Sequence, residues 1–215
     1  MELCRLCRAD NGSIFYIDDD LNFGKIFFIC NDCKLIFVQR DSLPNPELEK
    51  ERYLSHNNDV DDPKYQTFLS KLWNPMEKRL AKGASGLDYG AGPGPALLHM
   101  MSRSGYIVQM YDPFFATDMD VLNKTYDFIV CTETVEHFHN PSKEFYEFDR
   151  ILKPNGFLGI MTSFTDNVKS FGDWYYRRDP THVCFYSTHT MNWIANKMNW
   201  KVDFMEDNIV IFSKD

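Results

Sequence analysis

Residues 86–94 read Gly-Leu-Asp-Tyr-Gly-Ala-Gly-Pro-Gly, and no other stretch constrains the fold of this chain as strongly. An apolar run enters three closely spaced glycines, and a helical pattern follows. A second apolar run, Tyr106 to Tyr111, then ends in Asp112. Strand, glycine-dense turn, helix and a second strand closing on an acid make the opening unit of a parallel α/β sheet. Glycines let the backbone approach a ligand closely, and a carboxylate after the second strand takes both hydroxyls of a ribose. These residues therefore point to a nucleoside-containing cofactor. The nicotinamide and flavin fingerprint Gly-x-Gly-x-x-Gly/Ala fails, because counting from Gly90 and Gly92 puts Pro95 in third place. A Gly-x-x-x-x-Gly-Lys-Ser/Thr phosphate loop is missing too.

What remains, Asp88-x-Gly90-x-Gly92-x-Gly94, resembles the first motif of the class I S-adenosylmethionine-dependent methyltransferases. Tyr126 to Phe138 (YDFIVCTETVEHF) and Leu152 to Thr162 (LKPNGFLGIMT) resemble the fourth- and fifth-strand motifs of the same family. The set is specific although each piece alone is weak, and the resemblance covers roughly residues 84 to 213. It implies a Rossmann-like α/β sheet with S-adenosylmethionine (SAM) as cofactor. Asp88 would serve the methionine end, with Thr132 and Glu133 bordering it. Gly90, Gly92 and Gly94 would lie against the cofactor, and Asp112 with Pro113 would meet the ribose. One departure stands out. Only 13 residues separate Asp112 from Tyr126, where a helix and a third strand normally fit, so an abbreviated third-strand edge is expected. Lys201 to Glu206 and Ile209 to Ser213 should form the closing antiparallel hairpin.

Six cysteines divide into two kinds. Cys131 and Cys184 sit in apolar stretches as small hydrophobes. Cys4-x-x-Cys7 and Cys30-x-x-Cys33, with 22 residues between, form two knuckles that favour one tetrahedral structural zinc. A redox dithiol and a metal-free ribbon are the alternatives. Residues 1–40 thus read as a small zinc ribbon, 41–83 as a linker with N-terminal helices over the cofactor cleft, and 84–215 as the SAM-binding domain. In the middle segment Asp62-Pro63 opens a helix whose apolar stripe runs from Tyr65 to Leu80. Pro75 interrupts the stripe, so a kink or two abutting helices with Asn74 as a cap are expected.

The formal charge is −8, and four thiolates around one dication would take it to about −10. Such a surface repels long nucleic acids unless a local basic patch offsets it, and Arg177-Arg178 is too small for one. No apolar run approaches the ~20 residues that span a bilayer, and no signal sequence opens the chain. A cytoplasmic enzyme acting on a small-molecule methyl acceptor is expected, with neither nucleic acid nor membrane as partner.

Methyl transfer from a sulfonium is an in-line displacement in which the protein supplies alignment and, for an oxygen acceptor, deprotonation. Candidate catalytic groups are Glu136 and His137 after the fourth strand and His182 in Asp179-Pro180-Thr181-His182 after the fifth. His56 is a weaker candidate. The aromatic insertion Phe171 to Tyr176 reads as a pocket wall or as plain packing. Glu133-x-x-Glu136-His137 followed by His182 also resembles two metal-dependent O-methyltransferase groups, those of ubiquinone biosynthesis and those methylating the 3′-terminal ribose of small RNAs. That likeness implies a second divalent metal at Glu133, Glu136, His137 and His182. The alternatives are His182 as a metal-free general base, or Glu133 bordering the cofactor with His137 capping or packing. O-methylation of a small metabolite is the expected activity. RNA methylation and a non-catalytic SAM-binding module with a ribbon interaction surface are the alternatives.

Overall fold

The computed structural model describes residues 2–18, 24–55 and 59–215. The expected turn at Asp19-Asp20 and the candidate His56 lie outside the described residues. A ribbon of β1 (Ser13–Asp18), β2 (Lys25–Ile29) and β3 (Ile36–Val38) leads into α1 (Pro46–Leu54) and α2 (Pro63–Glu77). Then come β4 (Ser85–Tyr89), α3 (Ala96–Arg103), β5 (Ile107–Tyr111), β6 (Tyr126–Thr132), α4 (Pro141–Ile151) and β7 (Leu152–Met161). The chain closes with β8 (Cys184–Phe185), α5 (Thr188–Met198), β9 (Trp200–Glu206) and β10 (Ile209–Lys214).

The main sheet has the order β5-β4-β6-β7-β10-β9. β5, β4, β6 and β7 run parallel, and the β9–β10 hairpin adds to them antiparallel. β4, β6 and the second half of β7 are buried because helices cover both faces, whereas β5 is largely uncovered at the edge. The abbreviated edge has a simple form. Between Asp112 and Tyr126 lie a bridge from Asp112 to Ala116 and a short 3₁₀ turn, Met119–Asn123, so β5 ends the sheet.

Helix starts follow their local chemistry. Asn45 Oδ1 accepts from Leu48 N at 2.8 Å and Asp62 Oδ1 from Lys64 N at 2.8 Å, each ahead of a proline in the first turn. Of the two forms expected at Pro75, abutting helices capped by Asn74 are corrected: α2 continues through Pro75 to Glu77, and Asn74 is an interior residue. The apolar face decides this. Leu69, Leu72 and Trp73 are buried against the sheet and α3 ahead of the proline, and continuing the helix buries Met76 as well, at about 1.5–3 kcal/mol against roughly 3 kcal/mol for an interior proline. Gly159 makes the approach of α2 to β7 close, since a Cβ there would lie 3.0 Å from Leu72.

The ribbon is built into the same core. Its sheet has the order β1-β2-β3-β8, so the fourth strand comes from the far end of the chain. Ile36 pairs with Phe185 and Phe37 with Cys184. Phe171 and Trp174 of the aromatic insertion pack on Phe185, and Phe171 also meets Phe15, Tyr16 and Phe27 of the ribbon. Among the described residues no helix is long and apolar enough to cross a membrane.

Candidate functional site

The carboxyl ends of β4, β5 and β6 open into a cleft of about 1410 Å³. Ligands bind at this end of open parallel sheets, because the turns there expose backbone donors and helix N-termini. Gly90, Gly92, Asp112, Pro113, Thr132 and Glu133 all reach its wall, while Asp88 and Gly94 do not. Gly94 instead accepts Ala96 N through its carbonyl at 2.9 Å, at the entry to α3.

Gly90 has φ +80°, and a Cβ on it would fall 2.2 Å from Thr134 Cγ2. Only glycine fits there. Asp112 is held rigidly: Oδ1 accepts from Phe114 N at 2.8 Å and Phe115 N at 3.0 Å, and Oδ2 from Gly92 N at 3.0 Å. Asp88 is 2% exposed, and its Oδ1 has no hydrogen-bond partner. Burial, reinforced by the nearby negative charge of Asp112, raises its pKa to about 7. A buried carboxylate with one orphaned oxygen is suited to a cationic or donor group arriving from outside the chain.

A second group lies deeper, where the turn after β6 meets the Asp179-to-Tyr186 segment. Tyr176 OH is its hub, 2.6 Å from Glu136 Oε1, 3.3 Å from Glu133 Oε2 and 3.2 Å from Thr162 Oγ1. Thr162 Oγ1 in turn donates to Glu136 Oε2 at 2.9 Å. One phenolic hydrogen cannot serve two carboxylates, so a proton on one carboxyl completes the set. The pKa shifts agree. Burial raises Glu133 to about 7, and burial with the Glu133 charge raises Glu136 to about 8.

Two histidines complete the cluster. His137 Nδ1 is 2.9 Å from Thr181 O and His182 Nδ1 2.7 Å from Tyr176 O. A carbonyl only accepts, so both rings carry the proton on Nδ1 and keep Nε2 as the basic nitrogen. The rings sit 4.7 Å apart, and burial plus His182 lowers His137 to about 3. Ligand atoms of Glu136, His137 and His182 all lie within 4.8 Å of one another. Glu133 lies outside that group: its Oε2 is 3.3 Å from the Tyr176 hydroxyl, which is 2.6 Å from Glu136 Oε1. A histidine that donates Nδ1–H to a carbonyl is in the tautomer whose Nε2 can ligate a metal.

Helix α1 closes over this region. Arg52 pairs with Asp179 at 2.7 Å and Glu49 with His139 at 2.9 Å. Tyr53 stacks edge-on between Phe114 and His137. Sequence reasoning missed Tyr176 as a hub and Tyr53, Thr162 and Glu49 altogether; no local spacing signals such partners. The aromatic insertion divides, with Phe171 and Trp174 serving the ribbon and Tyr175 and Tyr176 lining the cleft. Arg177 is buried in an ion pair with Asp18, and Arg5 is buried too, so neither offers a basic surface.

The four ribbon cysteines converge. Cys4 and Cys33 sulfurs are 3.5 Å apart, Cys7 and Cys30 sulfurs 3.3 Å, and all four lie within 4.8 Å of one another. A tetrahedral ion with metal–sulfur bonds of about 2.3 Å spaces its sulfurs about 3.8 Å apart, which this arrangement fits. Each knuckle turns through a left-handed residue just after its second cysteine, Arg8 at φ +66° and Lys34 at φ +58°. Each of those residues donates its N–H to the carbonyl of the first cysteine, at 3.0 and 3.1 Å. The hydrogen bond from Cys33 lowers the pKa of Cys4, while the same contact raises Cys33 and burial raises Cys7.

The sequence profile of the family described as "Methyltransferase domain" matches residues 62–203. Among solved structures, the chain resembles the 1,6-didemethyltoxoflavin-N1-methyltransferase of Burkholderia thailandensis, with TM-score 0.59 and 12% identity over 94% of this chain and 98% of that one. It also resembles DesVI of Streptomyces venezuelae, with TM-score 0.54 and 13% identity over 80% and 99%. A third is phosphoethanolamine N-methyltransferase 2 of Haemonchus contortus, with TM-score 0.52 and 16% identity over 71% of this chain. The chain spans only 41% of the length of that protein. At these identities the likeness is one of fold. No curated protein sequence matches the chain.

Proposed function

Since the chain belongs to the SAM-dependent methyltransferase family, matched across residues 62–203, we propose that it O-methylates a small molecule whose hydroxyl is activated at Glu136, His137 and His182. When bound, SAM supplies an electrophilic methyl group on a sulfonium. Every other contribution comes from the chain. Asp112, already oriented by three backbone donors, is suited to the ribose diol, and Gly90 and Gly92 let the backbone approach the cofactor. Asp88, set back from the cleft wall with one orphaned oxygen, would serve the cofactor's methionine end directly or through water, with Thr132 and Glu133 lining the cleft there. A hydroxyl resists deprotonation at neutral pH, so the acceptor side needs a base or a metal.

The observation that carries this reading is the paired histidine tautomers facing Glu136 in the same cleft. The three residues would hold a divalent ion that lowers the pKa of a bound hydroxyl. Without an ion, His182 Nε2 would take the proton, with Nδ1–H anchored on Tyr176 O. The four cysteines would hold a structural zinc, and a reducing compartment such as the cytoplasm suits metal-bound Cys4, Cys7, Cys30 and Cys33 beside the buried thiols of Cys131 and Cys184. The test is a panel of phenols, catechols, sugars and hydroxy acids methylated by wild type and His182→Ala, with and without Mg²⁺, Mn²⁺ or Zn²⁺. The expected result is a loss of kcat of about 10²- to 10⁴-fold in His182→Ala with SAM affinity unchanged. Wild-type turnover in that variant, or methylation of amines in preference to every hydroxyl, would overturn the proposal.

A further inference from the structure

The ribbon's cysteine cluster lies outside the cleft, yet its strands grip the segment that carries the acceptor-side groups. Each of the three ribbon strands contacts residues 177–185. Asp18, at the end of β1, pairs with Arg177, and the Tyr16 ring lies 4.9 Å from the same guanidinium. Arg177 directly follows the hub Tyr176. Lys25 Nζ, at the start of β2, donates to Pro180 O at 3.1 Å. β3 then pairs with β8 immediately after His182. Val183 is the junction: its carbonyl accepts from Val38 N at 3.0 Å, and its N–H donates to Glu136 O at 2.8 Å.

The second knuckle starts this ladder. Cys30 N donates to Leu35 O at 3.0 Å, so the turn that brings Cys30 and Cys33 together also sets the start of β3. The cofactor-side residues have a different support. Asp88, Gly90 and Asp112 stand on β4 and β5, which pair with each other and, through β4, with β6. The ribbon's strands share the apolar core of the main domain, so the metal–sulfur bonds would act on the knuckle turn that sets the start of β3, not in place of apolar burial.

We propose that the zinc ribbon is a positioning element of the acceptor half of the site. Its metal holds β3 in register, and β3, Lys25 and Asp18 together hold Tyr176, His182 and the Glu136 carbonyl in place. Residues such as Lys25 and Asp18 act through this segment and touch no substrate. The inference rests on the zinc and SAM assignments proposed above. It goes beyond them in making zinc occupancy a determinant of acceptor-site geometry and leaving cofactor binding independent of it.

The experiment is hydrogen exchange read by mass spectrometry on the full chain, with SAM affinity measured in parallel by calorimetry. Zinc content is determined first: protein prepared without chelators that contains no zinc overturns the zinc assignment itself. Zinc-loaded protein is then stripped with a chelator. Exchange across 177–185 and β3 should rise at least ~10-fold, while β4 to β6 stay protected and the SAM Kd moves by less than about twofold. One equivalent of Zn²⁺ should restore protection and Mg²⁺ should not. Lys25→Met and Asp18→Asn, with zinc retained, should loosen 177–185 in the same direction at unchanged SAM Kd. Unaltered protection of 177–185 after zinc release, or in both variants, overturns the positioning role. So does a SAM affinity that falls together with that protection, which would mean general unfolding.

Discussion

Replacing Asp112 with Asn separates the two jobs that this carboxylate is built for. The side chain is 6% exposed, and its two oxygens have different partners. Oδ1 accepts from Phe114 and Phe115 N–H, which fixes the loop after β5, while Oδ2 accepts from Gly92 N–H at the cleft. Asparagine with its oxygen at the Oδ1 position keeps both loop bonds, at neutral instead of charge-assisted strength. Its amide then points hydrogens at Gly92 N–H, a donor against a donor, and offers no acceptor to a ribose diol. Losing a hydrogen bond to a charged acceptor costs about 1.5–3 kcal/mol, so SAM affinity should fall roughly 10- to 150-fold. Fold stability should drop by about 1.5–3 kcal/mol, because the Gly92 bond to the charged oxygen is lost while the two loop bonds persist. Calorimetric titration with SAM gives the first quantity and thermal unfolding without ligand gives the second. An unchanged Kd in Asp112→Asn would refute the ribose assignment, whatever happened to the unfolding temperature.

Asp88 gives a pH dependence with a definite sign. Its folded pKa, about 7, is raised above the ordinary carboxylate value of 3.8, so the folded ligand-free protein holds a proton that the unfolded chain releases. That contribution to stability is complete below pH 4 and is lost as pH rises through 7. An ammonium beside Oδ1 would favour the charged form, so SAM binding should release a proton and tighten as pH climbs from about 5 to 8; calorimetry in buffers of different ionisation enthalpy measures the release, and Asp88→Asn should abolish it. Gly86→Ala should destabilise by about 1–3 kcal/mol, since its Cβ would fall 2.1 Å from the Phe128 ring in the centre of the sheet; a wild-type denaturant midpoint would contradict that packing. Glu136→Gln leaves a hydrogen-bonding group for Tyr176 but a weaker metal ligand, so any divalent-ion dependence of turnover should shift to higher ion concentration; an unchanged ion titration would assign the chemistry to His182 alone.

Much of this protein was legible in the order of its residues, for local reasons. The Gly90-x-Gly92 turn, the acid at 112, the closing hairpin and the two cysteine knuckles are each set by neighbours a few positions away. Even the shortened edge could be counted, because 13 residues cannot hold a helix and a strand. What only the tertiary structure decided are contacts across long separations, where packing and burial choose the partner. Tyr176 reaches Glu136 across 40 residues, and Arg177 reaches Asp18 across 159, turning an apparent basic surface pair into a buried ion pair. Glu133 falls outside the cluster of Glu136, His137 and His182, although its spacing suggested otherwise, and its carboxylate meets the Tyr176 hydroxyl instead. Pro75 stays helical because the buried stripe of α2 outweighs its lost hydrogen bond. The segment after His182 reads as part of the catalytic domain, yet it closes the ribbon's sheet, since the open edge of β3 needs backbone partners and Cys184 and Phe185 supply them.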